Sequence, residues 1–149
     1  MAKLIQGYFK PQNPKKYKGN PTNIRYLSGW ELRLMKRFDS DPNILEWSSE
    51  EVLVPYLSPK DKKAHMYMPD FVIKTKSKTG KIETTMIEVK PFQQTQEPKK
   101  KAKPTKRYIT EVMTWGVNES KWKSARQFCE QRGWKFVLIT EYELGIKKR

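Results

Sequence analysis

Apolar and polar positions along this chain follow two rhythms. From Leu27 onward the rhythm is helical: Trp30, Leu34 and Phe38, joined by Met35, recur in steps of three and four residues, and Asp41-Pro42 ends the run. Ser28-Gly29-Trp30-Glu31 has capping-box spacing, and Leu27 and Leu32 are placed to form a hydrophobic staple, so a helix is predicted to start at Ser28. Short strand-like runs follow at residues 43–47 and 51–56, the second demoted to an edge by Pro55. After a charged loop at residues 58–64, residues 65–75 read as one strand and residues 81–90 as another. The polar stretch between them contains Gly80, which predicts an antiparallel hairpin.

The rhythm then breaks over residues 92–104. Tyr108, Val112 and Trp115 predict a helix over residues 107–117, and Asn118 is placed to cap a third helix carrying Trp122, Ala125, Phe128 and Cys129, with Gly133 as its stop. Residues 134–140 read as a buried strand, and residues 141–146 as a short final element. Helix, strands, hairpin, two helices and strand together predict an α/β (α+β) domain, a mixed sheet flanked by helices.

Composition narrows the picture. A chain of 149 residues fits one domain, here residues 28–146, preceded by an arm at 1–27 and closed by a basic tail at 147–149. Cys129 is the single cysteine and His65 the single histidine, so internal disulfides and a Cys/His zinc site are excluded and a reducing compartment is expected. Cys129 lies in an apolar stripe and reads as an inert buried thiol, and His65 as a surface or packing residue. No run is long and apolar enough for a membrane span, and the N-terminus lacks the layout of a signal peptide.

A formal net charge of +15 implies a polyanionic partner, with nucleic acid ahead of a membrane surface because no basic amphipathic helix is evident. The charge is clustered. Residues 1–30 hold no acidic side chain, and Lys15, Lys16, Lys18 and Arg25 are interleaved there with Tyr8, Phe9, Tyr17 and Tyr26. This predicts a basic arm along phosphates, partly docked by its aromatics. In the loop at residues 93–106 and just beyond it, Lys99, Lys100, Lys101, Lys103, Lys106 and Arg107 place six cations in nine positions.

The candidate chemistry lies in the hairpin. Strand alternation puts Glu88 and Lys90 on one face, and Asp70 stands at the head of the neighbouring strand. Two carboxylates and a lysine around one small volume suit a hard divalent cation, since Mg²⁺ takes oxygen ligands and commonly binds one or two carboxylates with a substrate phosphate.

Pro69-Asp70 followed by Glu88-Val89-Lys90 resembles the PD-(D/E)XK pattern of a large nuclease superfamily. The order of elements is similar to the TnsA-type transposase endonuclease domain and, more closely, to the head-completion nucleases of T-even-type tailed phages. That second resemblance rests on Lys-Tyr-Lys-Gly-Asn-Pro near the start, Ser-Gly-Trp-Glu at the first helix, Ile-Glu-Val-Lys-Pro in the active strand and Val-Asn-Glu-Ser-Lys-Trp-Lys beyond it. It implies a restriction-endonuclease-like fold and a Mg²⁺-dependent endodeoxyribonuclease, with Mn²⁺ as a substitute. Asp70, Glu88 and Glu31 would be metal ligands and Lys90 an electrostatic group. DNA, and the capsid, portal or other head-completion proteins, are the implied partners, in the host cytoplasm or the virion. Glu31 has a competing role as a helix cap, and Pro91 replaces the Gly-rich or acidic continuation that some superfamily members show after the lysine. A junction-resolving or transposase-type endonuclease would use the same residues. A non-catalytic DNA-binding capsid component would explain the charge but has no need of the four polar residues together.

Overall fold

The computed structural model describes residues 5–148 of the chain; residues 1–4 of the expected arm and Arg149 of the expected tail lie outside them. In order, the elements are β1 (Gly7–Tyr8), a 3₁₀ turn at Pro14–Lys16, β2 (Arg25–Tyr26), α1 (Gly29–Ser40), β3 (Ile44–Ser49), β4 (Val54–Leu57), β5 (Ala64–Tyr67), β6 (Phe71–Lys76), β7 (Ile82–Val89), a 3₁₀ turn at Phe92–Thr95, α2 (Lys106–Gln131) and β8 (Lys135–Ile139). The main sheet has the order β3-β6-β7-β8. Its β3–β6 and β6–β7 pairs are antiparallel, while β7 and β8 run parallel. The expected mixed sheet with helices is therefore present.

Alternation along β6 and β7 gives the sheet two apolar faces. Phe71 and Ile87, paired across the two strands, join Leu34, Met35 and Phe38 of α1 in one core cluster. Met86 faces the other way and packs with Val54, Tyr67 and the α2 residues Trp122, Ala125 and Cys129. By the same period of two, Glu88 and Lys90 belong to the Met86 face.

Three expectations need correction. The strand expected over residues 65–75 is two strands in two sheets: β5 pairs with β4 in a separate hairpin, and only β6 enters the main sheet. The break falls at Met68-Pro69-Asp70, where the buried Pro69 has no N–H to continue a ladder. The two helices expected after the loop are one helix of 26 residues, and Asn118 caps nothing. Gly116 tolerates helical backbone without breaking it, and Trp115 and Trp122, two turns apart, meet edge to face with ring centroids at 6.0 Å, tying the halves to one face. The element expected at residues 141–146 is a series of turns, with Leu144 buried in the first core cluster.

Parts of the N-terminal segment pack into the domain. Tyr17 and Ile24 are core residues, and Trp47 of β3 is surrounded by Tyr17 at 4.7 Å, Phe9 at 5.8 Å and Phe38 at 5.8 Å between ring centroids. The buried Asp39 carboxylate near the end of α1 accepts from the Gln12 N–H at 2.8 Å and the Asn13 N–H at 3.0 Å. Asp39→Ala would leave both amides without their acceptor, and we expect a loss of about 2–3 kcal/mol in urea unfolding. A loss within a few tenths of a kcal/mol would show that the segment is held by its aromatics alone.

Candidate active site

The Phe71↔Ile87 pairing sets Asp70, one residue ahead of β6, beside Glu88. Backbone hydrogen bonds hold Asp70 from two sides. Its Oδ2 accepts from the Val89 N–H at the end of β7, at 2.8 Å, and its carbonyl accepts from the Glu50 N–H just past β3, at 3.1 Å. Lys90 continues the β7–β8 ladder by donating its N–H to the Ile139 carbonyl at 2.9 Å, and its Nζ lies 3.8 Å from Glu88 Oε2. The sheet thus brings Asp70, Glu88 and Lys90 together, as alternation predicts.

Glu31 reaches the same place from the first turn of α1 while also serving the helix. The Ser28 hydroxyl accepts from the Glu31 N–H at 3.2 Å. The Glu31 carboxylate accepts at 2.6 Å from the N–H of Leu27, one residue before the cap rather than from the cap itself. Even so, carboxylate oxygens of Glu31, Glu50 and Asp70 all lie within 4.8 Å of one another. The two roles of Glu31 are geometrically compatible. Glu88 lies outside that trio, next to Lys90, Tyr67 and Lys121.

Glu50 and Lys121 are site residues that the sequence pattern does not single out. Glu50 follows β3 in a turn, with a left-handed φ of 54°. Only the long-range β3–β6 register brings it to Asp70. Lys121 comes from α2, far from the hairpin in sequence, with Nζ 5.7 Å from the ring centroids of both Tyr56 and Tyr67. No local spacing encodes either placement.

Crowded carboxyls resist ionisation in partly dry surroundings. Burial first, and then the Glu88 charge, push Asp70 up to about 8. Glu88 is also raised by burial, opposed by Lys90 and, more weakly, by Lys121. Burial raises Glu50 too, with Glu31 adding and Arg25 opposing. The buried Tyr67 hydroxyl, raised above the usual tyrosine range by burial and by Glu88, sits beside that carboxyl without completing a hydrogen bond. An excess of oxygen donors over cations, held on backbone-anchored strands, is a donor set that fits a hard divalent ion.

The expected phosphate contacts are placed unequally. Lys15 is exposed in the Pro14–Lys16 turn, whereas the Lys16 ammonium donates to the Asp39 and Asp41 carbonyls at 3.0 and 2.8 Å, satisfying the C-terminus of α1. Lys16, expected as a phosphate contact, thus has a structural task at the end of α1. Lys18 lies 3.7 Å from Glu46 on the surface, and Arg25, in β2, is near enough to Glu50 to favour its charged form. Lys99, Lys100, Lys101 and Lys103 lie on exposed backbone without regular structure, and Lys106 and Arg107 open α2, where Arg107 pairs with Glu111 at 3.3 Å. The two unused candidates behave as expected of bystanders: Cys129 is buried against Met86, and His65 pairs with Asp61 at 2.7 Å on the surface.

The model of the TnsA-like endonuclease N-terminal domain matches residues 41–141, which include Glu50, Asp70, Glu88, Lys90 and Lys121 but not Glu31. The head completion nuclease of Enterobacteria phage T4 is 38% identical over 139 residues, covering 91% of this chain and 90% of that protein.

Proposed function

Because the chain belongs to the TnsA-like endonuclease family, we propose that it is a divalent-metal-dependent endodeoxyribonuclease that trims or processes packaged DNA ends during phage head completion. The observation that carries this reading is the junction of Asp70, Glu88 and Lys90 at the end of two paired strands, with Asp70 fixed by the Val89 N–H. Mg²⁺ is the natural ion and Mn²⁺ a substitute. Asp70, Glu88 and Glu31 would hold it. When bound, such an ion lowers the pKa of a coordinated water and offsets charge on phosphoryl oxygens.

The chain's own residues do the rest. The Val89 N–H keeps the Asp70 carboxylate in one orientation, so this ligand reorganises little on binding. Lys90, partly exposed beside the buried Glu88, presents an ammonium to charge that builds up on the phosphate in the transition state. Arg25 and the lysine segment before α2 would receive flanking phosphates. The capsid and portal proteins are the expected partners outside DNA.

Cleavage of linear, circular and branched DNA by the purified protein tests this reading. We expect cleavage in Mg²⁺ or Mn²⁺ and none in chelator. Ca²⁺, with looser coordination at longer distances, should hold substrate without aligning the attack. Equal cleavage in chelator would overturn the metal mechanism. DNA binding without cleavage under every condition would leave a non-catalytic head component.

A further inference from the structure

We propose that Glu50 is a further carboxylate ligand of the divalent ion, aimed at the site by a turn that Tyr17 of the N-terminal segment holds in place. The proposal rests on the metal-dependent reading above and adds to it a residue outside the Asp, Glu-x-Lys and helix-glutamate set.

Geometry comes first. Oxygens of Glu31, Glu50 and Asp70 lie within 4.8 Å of one another. Oxygens on opposite sides of a Mg²⁺ ion are about 4.2 Å apart, and around a Ca²⁺-sized ion about 5 Å. Little movement would close the three around one ion. Next to the trio, Tyr67, 5% exposed, carries a buried hydroxyl beside Glu88 that completes no hydrogen bond, a polar group that a bound ligand would satisfy.

The backbone explains why Glu50 points here. Its φ of 54° is a conformation that a residue with a Cβ adopts at a cost of about 1–2 kcal/mol, so surrounding contacts must impose it. Those contacts are present on both sides. The Tyr17 hydroxyl accepts from the Ser49 N–H at 3.2 Å and lies 3.2 Å from the Ser49 carbonyl, pinning the residue before the turn. The Glu50 N–H donates to the Asp70 carbonyl at 3.1 Å, pinning the turn itself to the metal-binding strand. The next side chain, Glu51, is taken up elsewhere, with Oε1 3.3 Å from the Tyr17 hydroxyl and so close to Gly19 that a Cβ there would meet it at 2.6 Å. Of two consecutive glutamates, one is structural and the other is delivered to the site.

The competing account is that Glu50 merely pairs with Arg25. Mn²⁺ binding to the full chain without DNA, followed by calorimetry or by the free-Mn²⁺ paramagnetic signal, separates the two, together with the melting temperature of the metal-free protein. Glu50→Gln keeps the side chain's shape and should weaken Mn²⁺ binding by roughly tenfold or more. The metal-free melting temperature should hold or rise, because one of three crowded carboxyl groups is replaced by a group that does not ionise. Tyr17→Phe keeps the ring in the core but frees the turn, and should weaken Mn²⁺ binding by a smaller factor. Unchanged Mn²⁺ affinity in Glu50→Gln, with or without a fall in melting temperature, overturns the proposal in favour of the Arg25 pair. Glu88→Gln is the control. If it loses Mn²⁺ while Glu50→Gln does not, only the role of Glu50 fails; if the unaltered protein binds no Mn²⁺, the metal reading itself fails.

Discussion

Asp70→Asn, Glu88→Gln and Lys90→Ala should each lower DNA cleavage by about a thousandfold or more while the protein stays folded, because each removes a group aimed at the reacting phosphate or its ion rather than one that fills the core. The expected stability effects are small or favourable for the carboxylates. Asp70 and Glu88 crowd one another: burial pushes both away from their ionised forms, and the Glu88 charge pushes Asp70 further. Neutralising one relieves that repulsion, and an asparagine oxygen at position 70 can still accept the Val89 N–H. A variant that loses activity together with its melting transition would count against this reading. Glu31→Gln separates the two roles of Glu31. Glutamine can still accept the Leu27 N–H that the carboxylate now receives at 2.6 Å, so the cap survives while the charge is lost. A folded, inactive protein assigns Glu31 to the ion; a fully active one leaves it as a cap.

What could be read from the sequence was local. The capping box and the three-and-four spacing of Trp30, Leu34 and Phe38 encode α1 without help from the rest of the fold. Strand alternation and Gly80 encode the hairpin that holds Glu88 and Lys90 on one face. The failures are places where tertiary context decides. Nothing in residues 65–75 reports that a buried proline separates two sheets, and the helical pattern on either side of residue 118 is equally consistent with one helix or two until Trp115 and Trp122 pack together. The aromatics of residues 5–27 suggest docking, but not that Tyr17 enters the core and grips the turn before Glu50. Site residues divide in the same way: Asp70, Glu88 and Lys90 stand in a motif, whereas Glu50 and Lys121 arrive through strand register and helix packing.

The lysine segment before α2 should carry a large share of the electrostatic attraction to DNA. It follows Lys90 in the chain, and Lys99, Lys100, Lys101 and Lys103 are all exposed and form no salt bridge among the described residues. Each lysine that sits on a duplex phosphate releases condensed counterions and adds about 0.9 to the slope of log affinity against log salt. Changing all four to serine should therefore flatten that slope by up to roughly 3 to 4 units, and should weaken binding to every DNA sequence alike, since phosphate contacts position a protein without reading bases. Lys16→Ser is the internal contrast. Its ammonium already serves the Asp39 and Asp41 carbonyls at the end of α1, so its loss should lower stability and leave the slope nearly unchanged. An unchanged slope in the four-lysine variant would make the segment a solvated linker, and a loss confined to one DNA sequence would make it a base-reading element. Because phosphate attraction and metal chemistry use separate residues, the four-lysine variant should recover cleavage when salt is lowered, whereas Lys90→Ala should not.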